Sequence, residues 1–130
     1  MGTLLDTSIL IDIERGREAI PTSADTAIAA ITASELLQGV LRADRAHRAT
    51  RESFVAGILA TLPTIPFSLR IARVHARIWA DFARARATID AANLEVAATA
   101  IALGWDLATL NRKDFARISG LRLAPELPLR

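Results

Sequence analysis

The chain has 130 residues, a single-domain length, and its 52% apolar content is enough to bury a core without staples. It contains no cysteine and only two histidines, His47 and His75. Disulfides, thiolate zinc and histidine-rich metal cages are therefore excluded, and any metal must be held by oxygen, which favours Mg²⁺, Mn²⁺ or Ca²⁺. The net charge of +2 hides a gradient: residues 1–41 carry six acids and two arginines, residues 42–86 carry nine arginines and three acids, and the remainder carries five of each sign. An acidic region beside a basic one suits a phosphate polymer handled through metal ions, while separately solvated faces account for the same composition.

Met1 to Leu10 shows no basic stretch leading into a long apolar run, and Asp6 interrupts it, so no signal peptide is expected. The longest apolar stretch, Val96 to Leu103, is broken by Thr99 and is far shorter than the roughly 20 residues of a membrane span. The expectation is a cytoplasmic chain with no membrane partner, forming one domain over residues 1–130.

In chain order, Thr3 to Leu5 is a short apolar strand ending in Asp6, after which Thr7 or Ser8 caps a helix running to Gly16. A loop with Pro21 precedes a second apolar run, Thr26 to Ile31. Thr32-Ala-Ser-Glu35 then matches a capping box opening a helix that ends near Gly39 to Ala43. Ala46 to Ala60 reads as helix, and Leu62 to Phe67, with Pro63 and Pro66, as a short edge strand. Between Ser68 and Ala87, residues Ala72, Ala76, Trp79, Phe82 and Ala83 share one helical face, Arg70, Arg73, Arg77 and Arg84 lie opposite, and Ile71, Val74 and Ile78 form an apolar flank. That apolar surface is wider than one core contact needs, which predicts a homodimer through this helix. Asp90 to Leu103 is apolar nearly all round, hence a buried helix, stopped by Gly104. Asp106 to Thr109 and Leu121 to Leu123 are short strands flanking Asn111 to Ile118, and Pro125 and Pro128 mark a tail. Short strands alternating with helices predict an α/β fold, a mainly parallel sheet with helices on both faces.

In such a sheet, ligands gather beyond the carboxyl ends of the strands. Asp6, Glu35, Asn93 and Asp114 fit that position. Carboxylates brought together repel one another unless a cation neutralises them, which is the physical reason to expect a metal there. Each also has a purely structural explanation. Asp6 can cap a helix, Glu35 can complete the capping box, Asp114 can be ordinary loop polarity, and Asp90 reads better as a helix cap than as a ligand. His75 shares a side with Trp79 and reads as core packing.

Four segments in order carry a resemblance: Leu4-Leu5-Asp6-Thr7-Ser8-Ile9-Leu10-Ile11-Asp12, Ile31-Thr32-Ala33-Ser34-Glu35-Leu36, Asn93-Leu94-Glu95-Val96-Ala97-Ala98-Thr99-Ala100 and Thr109-Leu110-Asn111-Arg112-Lys113-Asp114-Phe115. Together they closely resemble PIN-domain toxins of the VapC family over nearly the whole chain. The resemblance implies a PIN-like three-layer α/β/α sandwich and a Mg²⁺- or Mn²⁺-dependent endoribonuclease acting on structured RNA such as tRNA or rRNA. It further implies a cognate VapB-type antitoxin whose tail inserts a basic side chain near the acids. Asp6, Glu35 and Asp114 correspond to metal-binding acids, Thr7 or Ser8 and Asn111 to supporting polar residues, and Arg112 and Lys113 are candidates for RNA contact. The departure is Asn93, where the family ordinarily has aspartate before its Leu-x-x-Ala-Ala stretch. An amide keeps one coordinating oxygen but loses the charge, so metal binding and activity should weaken or vanish. The rival expectation is a noncatalytic module that keeps the fold and still binds RNA or antitoxin. A phosphate-accepting signalling domain fits less well, since Lys113 is the only lysine.

Overall fold

The computed structural model describes residues 2–16 and 25–125; the loop around Pro21 and the tail beyond Pro125 lie outside them. Four strands, β1 (Thr3–Leu5), β2 (Thr26–Ala29), β3 (Thr64–Ile65) and β4 (Asp106–Ala108), form one sheet in the order β3-β2-β1-β4, every pairing parallel. Parallel strands need crossovers, and helices supply them. These are α1 (Thr7–Gly16), α2 (Ala30–Arg42), α3 (Arg48–Thr61), α4 (Leu69–Arg84) and α5 (Ala91–Leu103), and α6 (Arg112–Phe115) follows the last strand.

Successive strand residues point to opposite faces, and two cores follow from that alternation. Leu4, Ala27, Ala29 and Leu107 pack with Ile71 and Ile78 of α4, with Leu94, Ala97 and Ala98 of α5, and with Phe115. Leu5, Ile28 and Ala108 pack on the other face with Ile9, Leu10 and Ile13 of α1, Leu36 and Val40 of α2, and Val55 and Ile58 of α3. The architecture is thus the expected three-layer α/β/α sandwich. Each fully buried leucine or isoleucine here contributes about 1.5–3 kcal/mol. Among the described residues no helix is long and apolar enough to cross a membrane.

Four local readings are corrected. The second apolar run stops at Ala29, and α2 already starts at Ala30 with no side-chain cap. The helical main chain therefore continues through Thr32, which is fully buried, and the capping box does not exist. On α4 the flank of Ile71 and Ile78 faces the core, while Trp79 is 62% exposed, so what was read as the main apolar face is the outer one. His75 is half-buried between Phe67 and Trp79, edge-on to both at centroid distances of 5.5 and 5.7 Å, outside the core. Leu121 to Leu123 contributes only a single parallel bridge, Leu123 to Leu107. β3 and α6 are shorter than the segments Leu62 to Phe67 and Asn111 to Ile118 read for them, while the α5 boundaries agree closely, with Asp90 as its cap, the carboxylate accepting from Asn93 N at 3.0 Å, and Gly104 in left-handed conformation at φ 70°.

Candidate active site

Because β1, β2 and β4 run parallel in register, Leu5 opposite Ala108, their chains leave the sheet at the same edge. The ladder extends one step further through Asp6 N bonded to Ala108 O at 2.9 Å. This places Asp6 and Thr109 side by side although 103 positions separate them.

Asp6 is 4% exposed, and its Oδ2 accepts two hydroxyls, Ser8 Oγ at 2.9 Å and Thr109 Oγ1 at 2.8 Å. Each hydroxyl in turn accepts a main-chain N–H, Ser8 from Leu110 at 3.0 Å and Thr109 from Asn111 at 2.9 Å. Two amide-to-hydroxyl-to-carboxylate relays thus aim and hold one buried carboxylate. Thr7, the first residue of α1, donates its hydroxyl to Glu35 Oε1 at 2.6 Å and joins the second acid to the first. Neither Thr7 nor Ser8 caps α1 with its hydroxyl: both donate to acids. Glu35 is half-buried in the second turn of α2, and its carboxylate serves Thr7, not a helix cap.

Asp114 is exposed on α6, whose first turn hangs from Asn111 through Asp114 N to Asn111 O at 3.1 Å. Asn111 supports the site with its main chain; its side chain is exposed. Asn93 is half-buried in the first turn of α5. Arg117 ties these two regions together, its Nε donating to Asp114 O at 3.3 Å and its Nη1 to Thr88 O, just before α5, at 3.1 Å. Arg112 is committed to the Ala124 carbonyl at 2.7 Å, which leaves exposed Lys113 as the less encumbered cation beside the site.

Among the described residues, no three carboxylate or imidazole groups meet closely enough to hold a metal ion. Asp6 and Glu35 are joined through Thr7, whereas among the described residues neither the Asp114 carboxylate nor the Asn93 side chain bonds to that pair, and position 93 carries a neutral amide. None of Asp6, Glu35 or Asp114 has a cationic partner among the described residues; the ion pairs are Asp44–His47, Glu14–Arg51, Asp81–Arg84 and Asp106–Arg122. An all-oxygen donor set lacking protein counter-charge fits a hard divalent cation.

The PIN-domain family model matches residues 3–121. Ribonuclease VapC1 of Rickettsia felis is 35% identical over 127 residues, and Ribonuclease VapC of Rickettsia bellii 38% identical over 129, each alignment covering 95% of both chains. The chain belongs to the PIN-domain VapC family. Among solved structures, VapBC2 from Rickettsia felis bound to a promoter DNA fragment superposes with TM-score 0.82 at 25% identity over 95% of this chain and 98% of that one. DNA-bound VapBC from Salmonella typhimurium superposes with TM-score 0.86 at 22% identity, over 95% and 97% of the chains, and shows the shared fold.

Within this VapC-type chain, sequence reasoning assigned no role to Thr109, which is as buried as Asp6 and is the joint between β1 and β4. The available signal was its position, a hydroxyl residue closing a strand just before Asn111.

Proposed function

We propose that the chain is a metal-dependent endoribonuclease toxin, weakened at position 93 and restrained by a VapB-type antitoxin. The observation that carries this reading is Asp6: a buried carboxylate oriented by two hydroxyl relays, adjacent to Glu35, with no cation from the protein opposing it. The curated relatives named ribonucleases support the activity, and the VapBC complexes among structural relatives support the partner. Mg²⁺ or Mn²⁺ bound there would supply Lewis acidity toward a phosphodiester and its attacking water. Asp6 and Glu35 would hold the ion with their free lone pairs, Asn93 would add a neutral carbonyl oxygen, and Asp114 would close the outer side. Ser8 and Thr109 keep the Asp6 carboxylate from rotating, and Lys113 faces solvent where a flanking phosphate of structured RNA, tRNA or rRNA, would pass. Between α1 and the β4–α6 loop lies a recess of about 300 Å³ lined by Ser8, Ile11, Asp12, Arg15, Leu110 and Asn111. Ile11 and Leu110 are exposed there, which suits an antitoxin segment with apolar side chains. The outer apolar side of α4 suits a second copy of the chain, and the whole assembly would work in the cytoplasm.

The direct test incubates total tRNA with the chain or its Asn93→Asp form in Mg²⁺, Mn²⁺ or EDTA. The Asn93→Asp form should cleave in metal and not in EDTA, at least about tenfold faster than the parent, and should bind Mn²⁺ more tightly by calorimetry. One observation favours a second reading, a noncatalytic RNA- or antitoxin-binding module: the absence of a three-acid cluster among the described residues. Metal-independent RNA binding with no cleavage by either form would select that module.

A further inference from the structure

Seen along its axis, α4 has three stripes. Ile71 and Ile78 are buried, the outer apolar stripe carries Ala76, Trp79 and Ala83, and the third stripe carries Arg70, Arg73, Arg77 and Arg84. At about 100° per residue these four arginines fall within roughly 60° of one another and span about 21 Å along the helix. All four are exposed. Arg84 pairs with Asp81 at 3.0 Å, a contact open to solvent on both sides. The side chains of Arg70, Arg73 and Arg77 make no hydrogen bond or ion pair among the described residues, and Asp81 is the only acid on the helix.

Such a stripe is not what solubility alone requires. Arginines three and four positions apart repel along a helix, and interleaved glutamates would relieve that repulsion. Every cation on the stripe is arginine, whose planar fork matches phosphate. The aromatic residues Phe67, His75 and Trp79 cluster elsewhere, with Trp79 half a turn around the helix from Arg70. A charged ridge with no interleaved stacking platform reads backbone and leaves bases unread. An RNA stem offers that ligand, phosphates outside and bases hidden. The end of α4 that carries Arg84 adjoins α6: Phe82 of the same turn packs under Arg117, 5.1 Å from its ring centroid, and Arg117 bonds the Asp114 main-chain carbonyl.

We propose that the α4 arginine ridge docks the phosphate backbone of a base-paired RNA stem, holding a folded substrate beside the acidic edge. This rests on the ribonuclease reading and names the part of the RNA that α4 recognises. The test is fluorescence anisotropy of the full chain in EDTA, with a hairpin RNA and an oligouridylate of equal length, over a salt series. The R70Q/R73Q/R77Q variant keeps good helix formers at exposed positions, and circular dichroism checks its fold. Its hairpin affinity should fall at least about tenfold, the slope of log affinity against log salt should shrink by about 2–3, and oligouridylate binding should change little. The corresponding triple lysine variant should retain most of the slope. Parent-like affinity and slope in the glutamine variant, or equal losses on both RNAs, would overturn the ridge proposal. A parent chain that binds neither RNA would instead remove the ribonuclease reading beneath it.

Discussion

At the scale of single residues, the site depends on hydroxyls as much as on acids. Thr109→Val would remove one of the two donors to the buried Asp6 oxygen and orphan the Asn111 N–H. The expected cost is about 1–3 kcal/mol in urea denaturation. Thr32 gives the opposite sign. Its Oγ1 is buried without a partner among the described residues, because the carbonyl four positions back belongs to Ile28 in a strand, whereas Thr99 Oγ1 reaches Glu95 O at 2.7 Å within a helix. Thr32→Val should therefore raise stability by about 1 kcal/mol in the same assay. Gly2 is a third such position: a Cβ there would run into the Trp105 ring, so Gly2→Ala should destabilise by about 1–3 kcal/mol. The acids stood out as candidates by residue type and by their places after strands, and Ser8 through the family resemblance. Thr109, Thr32 and Gly2 did not, because hydroxyl partners and steric room are set by residues far away in sequence.

At the scale of elements, the helix boundaries that carried side-chain signals were readable. Asp90 caps α5 and Gly104 ends it. Asp90→Ala should lower stability by about 0.5–2 kcal/mol, while Asp90→Asn, which retains an accepting oxygen, should stay close to the parent in thermal denaturation. The start of α2 was misread for an equally local reason. Thr32 and Glu35 have capping-box spacing, but Ala29 leads directly from β2 into the helix without a side-chain cap, and the glutamate answers to Thr7 on α1. Tertiary contact outranked the local pattern. The same holds for α4, where helical spacing identified the stripes, but β-sheet packing chose Ile71 and Ile78 over the Trp79 side as the core face.

At the scale of the whole molecule, that choice leaves Phe67, Leu69 and Trp79 exposed on one side of α4. If a second copy covers them, Trp79→Lys should yield a species of half the parent mass in light scattering across a concentration series, with unchanged circular dichroism. A parent chain already monomeric at every concentration would rule the dimer out. The charge gradient read from composition is also physical: the arginine-rich middle of the chain forms α4's ridge, and the acidic start contributes Asp6 and Glu35 to one sheet edge.

Sequence by itself determined the fold class and most of the order of strands and helices, and it singled out the acids proposed for the site, since hydrophobic periodicity and residue chemistry are local properties. It also exposed the uncharged residue at position 93. Only the tertiary structure decided which hydroxyls hold Asp6, which side of α4 is buried, and that no three acids converge among the described residues. Those depend on strands aligned in parallel register, which bring residues 6 and 109 into contact through packing that no window of neighbouring residues encodes.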